Sequence, residues 1–452
     1  MSDLFKINLI EILPPKLAAS TLDRLQKTWI GIIYLKYLKP IPIVRGGVIR
    51  AWRLLLPLYA KVLAGLPTAD SARAWHPIIK MQDFVLANQC IYQQIFEPVR
   101  VKTPAPKVLP AEDQALLVAP HDHYVFPSIY VAELGQATVC GGSNLVFVDG
   151  AVICHDLYDF ERDYTSEEMH GRHFIEPTTN RMLLLHKNPE PSKIDCAASF
   201  VDACAPNYAH WITEVLPRVA VFCDVSAYAE VPIIVNAGLH PNIMQSLSLV
   251  VGNQRKVIAL PVGRSITVNN LVQTSVTGYV PFERRNDKLQ GYSHGMFSSL
   301  AFASLSAKIK PYMNQPKHEP WPSKIYLRRN SGIRKVLNID EVENVLFSNG
   351  YVAVESEKLD FIQQASIFHD AQYIIGSSGA ALANFVFCGS KTKIDIMIGR
   401  LEGTNYWYWQ NMAASVSNDV TYYLGRAQCA NNGVHSDFYV DLNEFNFNGV
   451  AL

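Results

Sequence analysis

The sequence has no Cys-x-x-Cys pair, no net charge and no long apolar stretch. Its eight cysteines are scattered along 452 residues, several of them inside apolar runs such as residues 221–223. Cysteines in such surroundings are typical of buried, reduced thiols, which favours the cytoplasm as the location. Basic and acidic side chains number 40 each. A chain without net charge has no overall field that attracts nucleic acid, so no nucleic-acid partner is expected.

The sequence also has none of the marks of secretion or membrane insertion. Its first 15 residues, MSDLFKINLIEILPP, have no basic start, long apolar run or small-residue cleavage site, so no signal peptide is expected. No run of about 18 apolar residues is present, and we expect no transmembrane helix. Hydrophobic residues make up 49% of the chain and charged residues 18%, which indicates a folded protein with large interiors.

Charge is unevenly distributed, because the basic residues concentrate near the start of the chain. Residues 1–65 carry ten basic and three acidic residues, a local charge of 10 − 3 = +7, so the remainder carries −7. The cations interrupt two apolar segments, residues 29–38 and 54–66. Such a segment can lie in the interface of an anionic membrane. It can equally form a helical hairpin that covers the core, so peripheral contact with the inner face of the cell membrane and a structural role both stay open.

The pattern of apolar runs and breakers predicts an α/β protein of several regions. These are a mostly helical extension at 1–105, an α/β domain at 106–315, a second α/β domain at 316–400, and a segment at 401–452 that completes or bridges them. After Pro316, short strands alternate with helices, which predicts a parallel sheet with right-handed crossovers. Asp149-Gly150 between two apolar runs predicts a two-residue hairpin.

An arginine-rich loop follows the strand predicted at the start of the second α/β domain. It contains Arg328, Arg329 and Arg334. The carboxyl ends of strands in open α/β sheets bind ligands, and guanidinium forks match phosphate oxygens, so the loop predicts phosphate binding. A solvated surface turn is the alternative. Asn338, with Glu341 after it, is predicted to cap the next helix.

A turn of small residues, Gly376-Ser377-Ser378-Gly379-Ala380, lies between a predicted strand and a predicted helix. Small residues let a ligand approach the backbone, and the helix start offers unpaired N–H groups to an anion. Tight packing of strand against helix explains the same composition. The turn also resembles a nucleophile elbow, which keeps open a serine hydrolase with Ser378 as nucleophile and His435 as its histidine.

A third motif, NYAHWITEVLPR, spans residues 207–218 and is predicted to be helical from its cap at Asn207. His210 and Glu214 are four residues apart and share one helix face. A carboxylate beside a histidine orients the ring and raises its basicity, so the pair suits a general base. A structural ion pair is the alternative. The tripeptide His121-Asp122-His123 predicts no metal site, because adjacent residues of a strand point to opposite faces.

Together these motifs resemble glycosyltransferase family 61 over residues 205–400. The segments that match the family pattern are Asn207–Arg218, Tyr326–Arg329 with Arg334 and Asn338, Gly350–Val354, Gln364–Ala371 and Ser378–Asn384. The family usually has histidine where this chain has Ser378. Serine still donates a hydrogen bond to phosphate but carries no positive charge, so donor affinity or identity is expected to differ.

The resemblance implies an inverting transferase of GT-B architecture, with two Rossmann-like halves facing a cleft behind a helical N-terminal extension. A nucleotide-sugar would be bound by Arg328, Arg329, Arg334, Asn338, Ser377, Ser378, Gly379, Ala380 and Asn384. His210 or Glu214 would be the base, with Asn207, Trp211 and Arg218 on the acceptor side. No metal or other cofactor is expected. The implied acceptor is a glycan or a lipid-linked sugar in capsule or lipopolysaccharide synthesis, and a non-catalytic nucleotide- or glycan-binding module is the alternative.

Overall fold

The computed structural model describes residues 7–13, 28–38, 42–65, 75–116, 122–185, 191–285, 295–313, 320–330, 332–400, 407–428 and 436–444. The chain forms two compact units. The first comprises Met1–Glu97 and Ser128–Gly291, and the second comprises Pro98–Pro127 and Tyr292–Leu452. Each unit mixes helices with strands, as predicted. The GT-B arrangement around a cleft and the domain boundaries at residues 105, 315 and 400 stay predictions.

The first unit is built mainly from strands. Its strands are Asn8–Glu11, Trp75–Lys80, Tyr92–Phe96, Ile129–Glu133, Ala137–Cys140, Val146–Val148, Ala151–Cys154, Asp163–Tyr164, His173–Glu176, Arg181–Leu184, Ser192–Ser199, Ile233–Asn236, Lys256–Leu260, Ser265–Thr274, Gly278–Tyr279 and Glu283–Arg284. Its α-helices are Trp29–Ile33, Pro42–Gly65, Met81–Ala87, Ser166–Met169, Tyr208–His210, Leu216–Cys223 and Pro241–Val251. Tyr34–Leu38 and Trp211–Val215 are π-helical, and Pro177–Thr179 and Ser226–Tyr228 are 3₁₀-helical.

A parallel core forms one end of the large sheet of this unit. The strands run in the order Asn8–Glu11, Lys256–Leu260, Ile233–Asn236, Ser192–Ser199 and Ser265–Thr274, each parallel to its neighbour. The inner strands Ile233–Asn236 and Lys256–Leu260 are almost entirely buried, which accounts for their runs of Val, Ile and Leu, whereas the edge strand Asn8–Glu11 is exposed. Beyond Ser265–Thr274 the sheet continues mainly with antiparallel strands.

The hairpin predicted at Asp149-Gly150 is confirmed. It joins two antiparallel strands, Val146–Val148 and Ala151–Cys154. Asp149 and Gly150 have φ angles of 46° and 75°, the left-handed pair that a type I′ turn requires.

The prediction that residues 1–105 are mostly helical is wrong from residue 75 onward. Trp75–Lys80 and Tyr92–Phe96 are strands that pair within the large sheet of the first unit. Val99–Lys102 pairs with His123–Phe126 in the second unit. These short strands are partly exposed and carry polar residues, so their apolar pattern was too weak to separate them from helix.

The long helix Pro42–Gly65 packs one side against the first unit. Leu56 and Ala60 are buried in a cluster with Leu183 and Leu185. Trp52 packs against the same cluster and donates its indole N–H to the carbonyl of Glu168 at 3.4 Å. The helix is therefore fixed to the sheet by the residues of one side.

The second unit contains a smaller sheet and its helices. Its strands are Val99–Lys102, Lys107–Leu109, His123–Phe126, Met296–Phe297, Lys324–Leu327, Val352–Val354, Tyr373–Ser377, Lys393–Arg400, Val420–Ala427 and Phe438–Tyr439. Its α-helices are Ser299–Met313, Ile339–Ser348, Phe361–Asp370 and Trp407–Ala414. Short 3₁₀-helices occur at Ala111–Leu116, Ser356–Lys358, Ala380–Phe387 and Leu442–Glu444.

The predicted parallel sheet of the second unit is confirmed. Six strands run parallel in the order Val352–Val354, Lys324–Leu327, Tyr373–Ser377, Lys393–Arg400, Val420–Ala427 and Lys107–Leu109. The order places the carboxyl ends of Lys324–Leu327 and Tyr373–Ser377 side by side. The arginine loop and the small-residue turn both begin there, as the sequence predicted.

Among the described residues, no helix is long and apolar enough to cross a membrane. None of the seven described cysteines forms a disulfide; Cys140 and Cys154 are buried, and the other five are partly exposed. The reduced state of the thiols stays a prediction, and Cys429 lies outside the described residues.

Candidate active site

The helical segment after strand Ser192–Ser199 carries the His–Glu motif of the first unit. The side-chain oxygen of Asn207 accepts a hydrogen bond from the N–H of Ala209 at 3.0 Å, so Asn207 is the predicted N-cap. The α-helix that follows widens into the π-helix Trp211–Val215. Turns of this kind are rare and occur frequently at functional sites.

His210 and Glu214 are in direct contact. Nδ1 of His210 bonds to Oε1 of Glu214, and the two side chains are only 17% and 14% exposed. Oε2 of Glu214 accepts the N–H of Val280 at 3.1 Å, so both carboxylate oxygens are engaged. Burial raises the pKa of Glu214. Burial alone would lower the pKa of His210, but Glu214 and Asp202 outweigh it and raise the pKa above its ordinary value.

A cavity of about 30 Å³ borders Glu214 and Arg218 within the first unit. A space of this size holds about two water molecules. Arg218 is only 4% exposed, and its Nε and one terminal nitrogen, Nη2, have no hydrogen-bond partner among the described residues. Burial lowers the pKa of Arg218, against the opposing effect of Asp202 and Glu214. The guanidinium is thus available to a polar group that enters the cavity.

Two further carboxylates line this cavity. Glu167 is fully buried, its Oε1 accepts from the hydroxyl of Ser143 at 2.9 Å, and burial raises its pKa to about 7. Asp202 accepts hydrogen bonds from the N–H of Cys204 at 2.8 Å and from the amide of Asn144 at 3.2 Å.

Sequence reasoning missed both of these acids. Asp202 comes three residues after the strand Ser192–Ser199, at the carboxyl end of a parallel strand, and this position was an available signal. No local pattern marks Glu167 as a buried acid, because its burial depends on residues distant in the chain, whereas its neighbour Glu168 belongs to a capping box with Thr165.

Trp211 has a structural place in the first unit. It is fully buried and donates its indole N–H to the hydroxyl of Ser246 at 2.8 Å. The hydroxyl of Ser246 is bonded in turn to the carbonyl of Ile243 at 2.7 Å. Trp211 therefore anchors the His210–Glu214 segment to the helix Pro241–Val251, and a direct contact with acceptor stays a prediction.

In the second unit, Arg328 is held by carboxylates. Its Nε and Nη2 atoms donate to the two oxygens of Glu343 at 2.8 and 2.6 Å. A carboxylate oxygen of Glu355 lies 3.7 Å from Nη1. The charge of Arg328 is therefore compensated inside the protein.

Arg329 and Arg334 differ from Arg328, since neither forms an ion pair with a carboxylate of the described residues. Nε of Arg329 donates to the carbonyl of Ile333 at 3.0 Å, and Nε of Arg334 is buried without a partner in that part of the chain. Burial lowers the pKa of both side chains, and repulsion by Arg329 adds to the effect on Arg334, whose pKa falls to about 10. Both remain cationic at neutral pH.

The backbone of Arg334 is also unusual. Its φ of 58° lies in the left-handed region, which few residues other than glycine adopt. Such conformations cluster at ligand sites. One terminal nitrogen, Nη1, lies 3.5 Å from the hydroxyl oxygen of Ser378.

Ser378 lies in the small-residue turn beside these arginines. It is 6% exposed, and its hydroxyl oxygen accepts the indole N–H of Trp409 at 3.0 Å. Trp409 belongs to an aromatic run at residues 406–409, and nothing in the sequence connects this run to the turn. Two donors, the indole N–H of Trp409 and Nη1 of Arg334, therefore face the hydroxyl oxygen of Ser378.

The two glycines of the turn have different tasks. An added Cβ at Gly376 would lie 2.8 Å from the Cβ of Leu327 on the neighbouring strand, so Gly376 permits close packing of the sheet. An added Cβ at Gly379 would collide with the guanidinium of Arg329. Packing and ligand binding were alternative interpretations of this turn, and the first applies to Gly376.

The remaining donor-side residues occupy varied places. Ser377 ends the strand Tyr373–Ser377 and is buried, whereas Ala380 is exposed at the start of the 3₁₀-helix. Asn384 is fully buried and donates to the side chain of Gln364 at 3.1 Å and to the carbonyl of Ala381 at 3.0 Å.

The prediction that Asn338 caps the next helix through its side chain is wrong. The side chain forms no capping hydrogen bond. It instead donates to the carbonyl of Val440 at 2.9 Å and accepts from the N–H of Val440 at 3.0 Å. The side chain of Asn338 thus bonds to the distant backbone of Val440 instead of to the first N–H groups of its own helix. Its role in donor binding stays a prediction.

Neither the hydrolase nor the metal interpretation gains support from the described residues. The backbone at Ser378 does not have the positive φ of a strained elbow, and His435 lies outside the described residues. His121 lies outside them as well, and Nδ1 of His123 bonds to its neighbour Asp122. No group of three potential metal ligands occurs within the described ranges. Metal independence stays a prediction.

Comparison with known proteins identifies a family for the segment that carries the predicted motifs. Residues 208–394 match the family model described as Glycosyltransferase 61, which confirms the resemblance predicted from the motifs. The chain is also similar to the EGF domain-specific O-linked N-acetylglucosamine transferase of Xenopus laevis, with 27% identity over 144 residues. That similarity covers 28% of this chain and 27% of the length of the Xenopus protein.

Proposed function

Since the chain carries a glycosyltransferase 61 domain at residues 208–394, we propose that it transfers a sugar from a nucleotide-sugar to an acceptor hydroxyl. Transfer occurs with inversion, by a single displacement at the anomeric carbon. Such a reaction needs a base for the acceptor hydroxyl and stabilisation of the departing diphosphate. The first unit supplies the base and the second the diphosphate site.

One observation carries the proposal: two guanidinium groups without carboxylate partners among the described residues lie at the small-residue turn of the parallel sheet. The lowered pKa values mean that burial disfavours the charge of both Arg329 and Arg334, and that repulsion by Arg329 disfavours the charge of Arg334 further. The negative charge of a bound diphosphate would stabilise the positive charges of both arginines. Charge-assisted hydrogen bonds to phosphate would come from these arginines, with Ser378 and the adjacent helix start adding neutral donors.

Arg328 takes a different part in this scheme. Its Nε and Nη2 atoms already donate to the carboxylate of Glu343. In this proposal Arg328 therefore orders the start of the arginine loop instead of binding phosphate. Donor binding then depends on Arg329 and Arg334, and the pairing of Arg328 with the helix Ile339–Ser348 fixes the loop from which they extend.

His210 is the proposed base, and Glu214 is a positioning residue. Both oxygens of Glu214 are engaged, one of them by Nδ1 of His210. This fixes the ring and leaves Nε2 to take the proton of the acceptor hydroxyl. Arg218 and the acids of the adjoining cavity would orient a hydroxyl of the acceptor.

The proposed acceptor is a glycan or a lipid-linked sugar in the synthesis of a surface polysaccharide, and the proposed location is the cytoplasm. The Xenopus relative is named for N-acetylglucosamine transfer to EGF domains, so a nucleotide-activated N-acetylglucosamine is the first donor to test. No metal is required, because the two arginines offset the charge of the diphosphate.

A thermal-shift screen tests the proposal. Purified protein is heated with nucleoside diphosphates and nucleotide-sugars, with and without EDTA. A ligand at 100 times its dissociation constant stabilises the fold by about 2.7 kcal/mol. We expect stabilisation by at least one diphosphate in the presence of EDTA. No stabilisation by any of them would contradict the donor site, and stabilisation only in the absence of EDTA would contradict metal independence.

A further inference from the structure

The long helix Pro42–Gly65 has a second apolar side that packs against nothing in the described structure. This outer apolar face consists of Val48, Leu54, Leu55, Leu58 and Val62, all of them exposed. Leu54, Leu58 and Val62 are 74%, 60% and 63% exposed. The residues follow the three-, four- and seven-residue spacing of one helix side. The opposite side already packs against the sheet through Leu56 and Ala60.

The preceding helical turns add further exposed apolar side chains. Trp29, Ile32, Ile33 and Tyr37 are exposed over Trp29–Ile33 and Tyr34–Leu38. Single exposed apolar residues are normal, but a concentration of this kind marks an interaction surface. An aromatic and aliphatic set of this type is common in segments that lie at the boundary of lipid headgroups and acyl chains.

The basic residues of this segment indicate a partner with negative charge. From residue 28 to residue 65 the sequence contains six Lys or Arg residues and no Asp or Glu. Lys36, Arg50 and Lys61 are exposed in the structure. Glu176 lies near Lys61 and is itself paired with Arg181 at 2.8 Å. A face that is apolar and purely basic is complementary to an anionic lipid surface, because each cation near such a surface adds attraction.

We propose that the outer apolar face docks the protein onto an anionic membrane surface. The helix of 24 residues is about 36 Å long and would lie along the surface with its leucines among the headgroups. The inner side, held by Trp52 and the buried cluster, would keep the first unit attached to the helix. This inference concerns attachment only and does not depend on the proposed transferase activity.

Vesicle sedimentation with the full chain tests the proposal. Vesicles of pure phosphatidylcholine are compared with vesicles containing 30% phosphatidylserine, roughly the anionic content to which basic segments respond. We expect binding to the anionic vesicles that weakens as salt is raised. The double variant Leu54→Ser/Leu58→Ser should reduce the partition coefficient at least about tenfold. Arg50→Gln/Lys61→Gln should reduce it as well, and only for anionic vesicles.

The matched control is Leu86→Ser/Ile91→Ser, which changes two exposed apolar residues of the same unit outside the basic segment. It should bind vesicles like the parent. Circular dichroism and thermal melting of all variants distinguish lost docking from lost folding. Equal binding by Leu54→Ser/Leu58→Ser and the parent would overturn the proposal. So would a dimer of the parent that this variant converts to monomer, since a second copy would then cover the face.

The membrane-docking proposal and the proposed transferase function can be tested independently. Turnover of nucleotide-sugar by Leu54→Ser/Leu58→Ser in vesicle-free solution should equal that of the parent. Arg329→Ala/Arg334→Ala should lose turnover and keep vesicle binding. Each proposal can thus fail while the other holds.

Discussion

The guanidinium of Arg329 occupies the space that a side chain at Gly379 would need. The obstacle is the far end of a flexible side chain, so a methyl group at this position would displace the arginine at little cost to the fold. The glycine therefore maintains the position of a cation, and this relationship gives the first prediction.

Gly379→Ala should weaken donor binding about tenfold or more while changing the free energy of unfolding by less than about 1 kcal/mol. The matched control is Gly376→Ala, whose Cβ would press against Leu327 on the adjacent strand. That variant should lose stability instead. Isothermal titration with a nucleoside diphosphate and urea unfolding of both variants give the comparison. Unchanged affinity in Gly379→Ala would show that Arg329 does not contact the donor.

Substitution of Arg334 should lower donor affinity, whereas substitution of Arg328 should lower stability. Asparagine tolerates the left-handed backbone at residue 334, so Arg334→Asn should fold normally and bind the donor about 10 to 100-fold more weakly. Arg328→Ala removes a partly exposed ion pair and should cost about 0.5–1 kcal/mol of stability with little change in donor affinity. Titration and chemical unfolding distinguish the two. A larger affinity loss in Arg328→Ala than in Arg334→Asn would reverse the assignment.

The His210–Glu214 pair predicts a specific pH profile. A histidine base is active when unprotonated, and the pKa of His210 is raised above 6.5, so kcat/KM should rise with pH through a value above 6.5. In Glu214→Gln the raising carboxylate is gone and burial lowers the pKa. The ratio of variant to parent activity should therefore be larger at pH 6 than at pH 8. His210→Ala should reduce kcat about 10² to 10⁴-fold on the high-pH plateau of the parent, and by less at lower pH, where the parent itself loses activity.

A profile whose midpoint does not move in Glu214→Gln would contradict this arrangement. Trp211→Phe is the control, because it removes the buried bond to Ser246 without touching the pair. It should lower stability and leave the midpoint of the pH profile in place.

Glu167 predicts a stability effect that depends on pH. Burial raises its folded-state pKa to about 7, above the ordinary value of 4.5. The folded state therefore holds the proton more tightly, and stability is lost as pH rises from about 4.5 through 7. The shift corresponds to about 3 kcal/mol. Glu167→Gln stays neutral, so it should be more stable than the parent at pH 8 and similar at pH 5. Thermal unfolding at both values checks this, and equal stability at pH 8 would contradict it.

Sequence reasoning succeeded where local rules determine the structure. The cap at Asn207, the contact of His210 with Glu214 four residues on, and the hairpin at Asp149 each follow from spacing or backbone preference within a few residues. The parallel sheet of the second unit was predicted from the alternation of strands and helices.

Sequence reasoning did not predict contacts whose partner is distant in the chain. Glu343 forms the ion pair with the guanidinium of Arg328, and the backbone of Val440 pairs with the side chain of Asn338. Trp409 contacts Ser378, 31 positions away. None of these pairs has a local signature, since each depends on how separate elements pack. The same reason hid Glu167, whose burial changes its chemistry.

Release of nucleoside diphosphate from nucleotide-sugars is the most direct measurement of the proposed donor site. The parent and Arg329→Ala/Arg334→Ala are incubated with a panel of donors, with water as the acceptor of the sugar, and the freed diphosphate is followed over time. We predict release by the parent from at least one donor and loss of that release in the double variant, with both proteins folded. Equal release by the two proteins, or none from any donor by the parent, would contradict the assignment of these arginines to a glycosyltransferase active site.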